Sequence, residues 1–214
     1  PQVRVRLRAP PGRLGPGKRV TMAIQADHLF GSPAAGLTAQ ARVTFVPAPF
    51  QPEGWSQYRF GDPRLAFSPM TVDLGAMRAD AEGEAEFVSA PLPHWRPAAA
   101  LRAVISGTVL EPGGRAVTAN ADRHFDPGPF YLGIRPGGDG MVQKERVFDL
   151  AAVLPDGAAV SNSVEVRVVV EKIAWASVLR RGADGNNEYV SEQKLTPLGT
   201  NAVPLAYTEL YTAL

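Results

Sequence analysis

The chain is predicted to be all-β, built as two tandem immunoglobulin-like antiparallel β-sandwich domains. Three observations carry that expectation. Apolar residues recur at every second position through many short runs, the period of a half-buried strand. The 21 glycines and 20 prolines among 214 residues are scattered between those runs as punctuation and form no low-complexity tract. Apolar stripes at helical period with caps are hard to find, and the best helical candidate, the tail at 207–214, is short and marginal.

Taken in order, Val3, Val5 and Leu7 alternate with Arg4, Arg6 and Arg8 in a first strand. Those arginines are expected to face water, where a row of like charge discourages edge-to-edge pairing. Val20, Met22, Ile24 and Ala26 make a second strand. It must stop at 31–36, because Gly31 can take a positive φ, Pro33 lacks a backbone donor and Gly36 frees the chain again. Leu37, Ala39, Ala41, Val43 and Phe45 then share one face of a third strand.

A loop at 47–69 carries Phe50, Trp55, Tyr58, Phe60 and Phe67. Five aromatics cannot all be left in water, so this insertion is expected to pack over one end of the sandwich. Val72, Leu74 and Ala76 read as a strand that turns through 80–83 into a hairpin partner containing Ala85 and Phe87. Leu101, Ala103, Ile105 and Val109 form the next strand, and residues 111–115 turn it back through Val117, Ala119 and Ala121. About seven strands are complete by Phe125, the size of one sandwich. The Asp-Pro-Gly-Pro at 126–129 is the natural linker, giving domains at 1–127 and 128–214. Strands at 147–153, 164–170 and 174–179 follow, with a turn at 182–187 rich in residues that tolerate positive φ.

Composition narrows the function. The absence of cysteine excludes disulfides, cysteine-ligated zinc and a thiol nucleophile, while leaving an exported location open. Twenty-two basic and 21 acidic residues, with no long run of either sign, leave nucleic-acid binding without an electrostatic footprint. No apolar run approaches the roughly 20 residues of a membrane span. A start at Pro1 inside a strand pattern reads as the cut end of an excised fragment.

No constellation of catalytic, cofactor-binding or metal-ligating residues emerges. Gly12, Gly17 and Lys18 satisfy G-x-x-x-x-G-K after a strand, but Arg19 replaces the magnesium-binding Ser or Thr, and a strand follows where the motif needs a helix. His28, His94 and His124 are dispersed, outside any metal-ligand spacing. Residues 184–188 have calcium-like types without the glycine and twelfth-position glutamate of an EF-hand loop, so a solvated turn is expected. No Gly-x-Ser-x-Gly elbow exists. The chain is therefore not expected to be an enzyme.

One stretch is more specific. Asp27, Leu29, Phe30, Gly31, Ser32, Pro33 and Ala34, followed by Tyr58, Phe60 and Gly61, resemble a turn and aromatic-x-Phe-Gly pair of the bacterial α2-macroglobulin family, with His28 where that family usually carries Tyr. Glu111, Gly113, Gly114 and Arg115 resemble its Glu-x-Gly-Gly-Arg hairpin, and Tyr131 to Pro136 its next domain opening. The resemblance spans most of the chain and fades after about 180. It implies two macroglobulin-type (MG) domains from a protein that inhibits a broad range of endopeptidases by entrapment after a bait segment is cleaved. It further implies a periplasmic parent anchored by a lipid at the inner membrane, with target proteases, neighbouring domains of the same chain and a peptidoglycan-synthesising penicillin-binding protein as partners. Bait and thioester would lie elsewhere: Glu192-Gln193 matches half of the thioester Cys-x-Glu-Gln, but Val190 stands at the cysteine position. The rival reading is a surface adhesion module that binds a glycan or protein through exposed Trp55 and Tyr58.

Overall fold

A computed structural model of the chain describes residues 2–62, 65–137, 146–181, 186–205 and 210–213. Among the described residues there is no helix, and the strands make several antiparallel sheets. The strands are β1 (Val3–Arg8), β2 (Thr21–His28), β3 (Thr38–Pro47), β4 (Arg59–Phe60), β5 (Met70–Arg78), β6 (Glu84–Val88), β7 (Leu101–Leu110), β8 (Ala116–Phe125), β9 (Tyr131–Pro136), β10 (Arg146–Val153), β11 (Val164–Arg181), β12 (Asn187–Leu205) and β13 (Leu210–Ala213).

Sheets β1-β2-β6 and β5-β3-β7-β8 form the first sandwich. Their inward residues follow the period-2 pattern: Met22, Ile24, Ala85 and Phe87 from one sheet, with Val20 just ahead of β2, meet Ala39, Ala41, Val43, Phe45, Leu101, Ile105 and Phe125 from the other, all buried. Each fully buried Val, Ile, Leu, Met or Phe side chain among these contributes about 1.5–3 kcal/mol. Phe45 meets Phe125 edge-on at 5.3 Å and 77° and Trp95 at 4.5 Å. β1 is an edge strand with Arg4, Arg6 and Arg8 exposed, as expected from its charge. Arg6 pairs with Asp27 at 2.6 Å, and Arg8 pairs with Glu84.

Two turns form where the sequence places them. At 28–34 the Gly31 amide donates to the His28 carbonyl and Ala34 N–H to the Ala26 carbonyl, 3.0 Å away, with Ala34 buried. At 111–115 the Glu111 amide donates to Arg115 O and Gly114 N–H to Glu111 O. The Glu111 carboxylate turns inward and accepts from the amides of Gln2 and Val3, which fastens the start of β1. Burial alone would raise its pKa, but those amide bonds hold it below the usual carboxylate value.

Several expectations need correction. The turn at 80–83 does not make a hairpin: β5 pairs with β3 and β6 with β2, so the chain changes sheets there. Asp80 closes the turn by accepting from the amides of Glu82 and Glu84, and the Ala26 amide donates to Gly83 O, docking the turn on β2. Ala76 is exposed, because a bulge opposite Ala41 and Arg42 adds a residue to β5 and shifts which side chains face inward. The segments at 164–170 and 174–179 are one strand of 18 residues, interrupted in register between Val170 and Glu171. The tail is not helical where described: residues 210–213 pair with β10, since eight residues without a cap cannot outcompete a ready sheet edge. Part of the turn at 182–187 lies outside the described residues.

β9, β10 and β13 form a third sheet, and its fourth strand is β4, from the aromatic loop. That loop does not simply cap the first sandwich. Phe67 packs there against Trp95, at 6.1 Å, whereas Phe50, Trp55, Tyr58 and Phe60 join Ala100, Tyr131, Ala151 and Val153 in a second core. β11 and β12 pair as a separate long ribbon, with Val166 buried near its base and Trp175 and Tyr189 exposed farther out.

Candidate functional site

The joint between the first sandwich and the third sheet gathers a cluster of aromatic rings and two arginine–aspartate pairs. The loop enters after Ala48, whose amide donates to the Ala100 carbonyl at 3.0 Å. Phe50 then stacks on Tyr131, ring centres 3.7 Å apart and planes 15° from parallel, while meeting Phe60 edge-on at 5.0 Å and 89°. Such aromatic pairs add about 0.5–1.5 kcal/mol to area burial. Trp55 lies edge-on to Tyr58 at 5.2 Å, and its indole N–H donates to the Gly157 carbonyl at 2.9 Å.

Phe60 lies directly over Gly133, where a Cβ would come within 2.6 Å of the ring. Gly61 turns the chain away with φ +85°, its α-carbon so close to Ala98 that a side chain would strike the carbonyl oxygen. The Tyr58-x-Phe60-Gly61 pattern thus has a physical origin: one ring for the core, one ring over a glycine, and a glycine to leave.

Two ionic clusters flank the rings. Asp126 is buried and receives both Nε and Nη2 of Arg13, at 2.6 and 2.7 Å, while the Tyr131 hydroxyl donates to its Oδ1 at 2.6 Å. Bidentate charge-assisted pairing of this kind is strong and directional. Burial, then the bond to Asp126, drives the Tyr131 phenol far above its ordinary pKa, and the Asp126 bond likewise raises Arg13. On the other side Arg135 donates to Asp149 at 2.6 Å and to Gln57 at 2.8 Å, its guanidinium lying 4.9 Å from the centre of the Tyr58 ring. Burial also raises the Tyr58 pKa. The residues at 126–129, read as a linker from their prolines and glycine, therefore begin with a clamped carboxylate.

The sequence candidates fare differently. Gly12, Gly17 and Lys18 form no anion cradle, since Gly17 N–H donates to Leu92 O and Lys18 Nζ to Arg13 O, and β2 follows as a strand. His28, His94 and His124 lie apart, and no group of three or more His, Asp or Glu among the described residues could hold a metal ion. Asp184 and Gly185 lie outside the described residues. Glu192 sits on β12 in an ion pair with Arg180, and Gln193 is exposed opposite Trp175. Tyr58 is buried and Trp55 half-buried, both turned into the joint, so the adhesion reading loses the residues it relied on. Sequence reasoning missed Arg13, Asp126, Arg135 and Asp149. Their only local signal was an aspartate preceding Pro-Gly-Pro.

What this site does is mechanical: it ties the first sandwich to the sheet of β9 and β10 through a shared core and a shared strand, and among the described residues it brings together no paired nucleophile and base. No helix among the described residues is long and apolar enough to cross a membrane, which says nothing of β-barrels.

Comparison with known proteins agrees with the architecture. The profile of the bacterial alpha-2-macroglobulin MG5 domain matches residues 2–127. The alpha-2-macroglobulin of Escherichia coli K12 is 29% identical over 124 residues, covering 58% of this chain, and that of Xylella fastidiosa Temecula1 is 32% identical, covering 54%. The chain spans only about 7% of the length of these relatives. The native E. coli alpha-2-macroglobulin structure superposes over 100% of this chain and 14% of its own, with TM-score 0.69 and 20% identity. The methylamine-reacted Salmonella alpha-2-macroglobulin covers 99% of this chain and 15% of its own, with TM-score 0.64 and 20% identity. These two likenesses establish the fold, and the profile match over more than half the residues establishes the kinship: the chain belongs to the bacterial alpha-2-macroglobulin MG5 domain family.

Proposed function

We propose that this chain is a scaffold portion of a bacterial alpha-2-macroglobulin, a broad-spectrum endopeptidase inhibitor that traps proteases once its bait segment has been cut. In this reading catalytic and tethering chemistry belong to other parts of the parent, and the chain, which has no cysteine for a thioester, is scaffold and not an enzyme. It comprises two consecutive MG-type sandwiches, residues 1–127 and 128–214, a division supported by the family profile ending at 127.

The observation that carries the reading is the joint. The first unit lends β4 and the rings of Phe50, Tyr58 and Phe60 to the second, and Asp126 is bonded from both sides by Arg13 and Tyr131. A trap that works by moving whole domains needs neighbouring modules that transmit motion without flexing, and a shared core supplies that stiffness. Target proteases are engaged by the whole parent. Neighbouring domains are this fragment's direct partners, and a peptidoglycan-synthesising penicillin-binding protein is a further associate of the parent. The parent is periplasmic and held at the inner membrane by a lipid outside these residues.

The test compares the isolated chain with its full-length parent. The parent lowers cleavage of a large protein substrate by trypsin, whereas the isolated chain in molar excess leaves it unchanged. Stoichiometric inhibition by the isolated chain overturns the assignment.

A further inference from the structure

A cleft of about 720 Å³ opens where the third sheet meets the first unit and β11. Its floor includes Leu132 and Ile134 of β9 and Leu150 of β10, which pairs with Ile134. These side chains alternate with Tyr131, Gly133 and Ala151, so they lie on the face opposite the aromatic joint. Leu132 is 44% and Ile134 39% exposed, although a strand apolar on both faces normally has both covered. The backbone is open there too. Among the described residues β4 pairs with Ile134 and Gly133, and the chain then leaves at Gly61 to bond Asp62 N–H to Ala98 O, so the described ladder ends before Leu132.

The rim is basic. Arg59, Arg96 and Arg167 line the cleft, and none of their side chains has a hydrogen bond or ion pair among the described residues. Asp62, the carboxylate in the lining, is already engaged by another contact. An apolar floor, an unpaired strand edge and three uncompensated guanidinium groups together select an extended ligand whose apolar side chains alternate with carboxylates.

We propose that this cleft seats such an acidic extended segment, supplied by a part of the same polypeptide outside residues 1–214. The proposal rests on the scaffold reading above. Over its whole length the chain matches only 14% of the native E. coli structure, so in proteins of this architecture most of the chain lies elsewhere. Exposed arginines give individually weak pairs, and a tethered segment at millimolar effective concentration fills a site that a free peptide would leave empty.

The test places the photo-crosslinking residue p-benzoylphenylalanine at Leu132 in the full-length parent and maps the product by mass spectrometry. An intramolecular crosslink to one segment bearing at least two Asp or Glu is expected. Its yield falls about tenfold when Arg59→Glu, Arg96→Glu and Arg167→Glu are combined, while a control probe at exposed Val88 keeps its pattern. A product with a neutral or basic segment, with a second copy or with another protein overturns the proposal, as does no product. The unsubstituted arginine background decides the partner even if the triple variant misfolds. The mass of the protein isolated from its source separates the two readings: a parent longer than 214 residues with a crosslink elsewhere defeats only the cleft, whereas a protein of 214 residues defeats both.

Discussion

Gly133→Ala probes the joint most sharply, because its sign depends on a single neighbouring ring. A Cβ at Gly133 would lie 2.6 Å from Phe60 Cε1 and 2.9 Å from Cζ, so the ring must shift. Phe60 is itself edge-on to Phe50, which is stacked on Tyr131, and the displacement therefore reaches the whole cluster. Overpacking of this kind costs about 1–3 kcal/mol. Against it, removing a glycine lowers the entropy of the unfolded chain and stabilises by about 0.4–1 kcal/mol. The net expectation is a loss of roughly 1–2 kcal/mol, which lowers the urea midpoint by about 0.5 M for a slope near 2–3 kcal/mol/M. With Phe60→Ala as background the obstruction is gone, only the entropic effect remains, and the same Gly133→Ala now raises the midpoint. The four proteins of this double-mutant cycle are unfolded in urea and followed by tryptophan fluorescence, where Trp55 reports from within the joint. Equal effects of Gly133→Ala in both backgrounds would refute the packing of Phe60 on Gly133.

Other outcomes follow from the same contacts. Tyr131→Phe removes one hydrogen bond to Asp126 while Arg13 stays in place, and should lower stability by about 0.5–1.5 kcal/mol in urea titrations. Because the folded-state pKa of Tyr131 lies above its ordinary value of 10.0, its contribution is complete below pH 10 and fades as the pH rises above it. The midpoint should therefore fall on the alkaline side, and Tyr131→Phe should flatten that fall. Glu111 behaves oppositely: its folded pKa lies below the ordinary 4.5, so its contribution is present above that pH and lost as the pH drops through the lower, folded value. Glu111→Gln should reduce the acid sensitivity and speed hydrogen exchange at the amides of Gln2 and Val3. Trp55→Phe keeps the edge-on contact but loses the bond to Gly157 O, and should increase hydrogen exchange across 154–158 without changing β7.

The first sandwich was largely readable because its strands are half-buried and therefore alternate. Val20 to Ala26 and Ala39 to Phe45 bury the very residues their period nominates. The failures have a common cause in information carried by distant partners. Nothing between Arg78 and Glu84 says that the next strand will pair with β2 instead of β5, since a tight turn serves either route. Nor could Leu74 announce its bulge. Aromatic content flagged the loop at 47–69 as needing cover, but which cover depended on Gly133 and Tyr131, some seventy residues on. Arg13 and Asp126 are 113 positions apart, and a lone arginine beside glycines carries no local mark of such a pairing.

The lent strand also imposes an order on biosynthesis. Arg59 and Phe60 leave the ribosome long before Gly133 and Ile134, their partners in the ladder. Until β9 and β10 emerge the rings of Phe50, Trp55, Tyr58 and Phe60 have no finished surface to settle on, whereas the first sandwich can close around its own interior once β8 has been made. The nascent protein thus passes through a stage with a sticky flap beside a folded body, the kind of species that recruits chaperones or aggregates. Completion of β9 and β10 ends that exposure, so codon usage and translation speed across 60–153 should govern the yield of soluble protein more than changes in β1–β3 do.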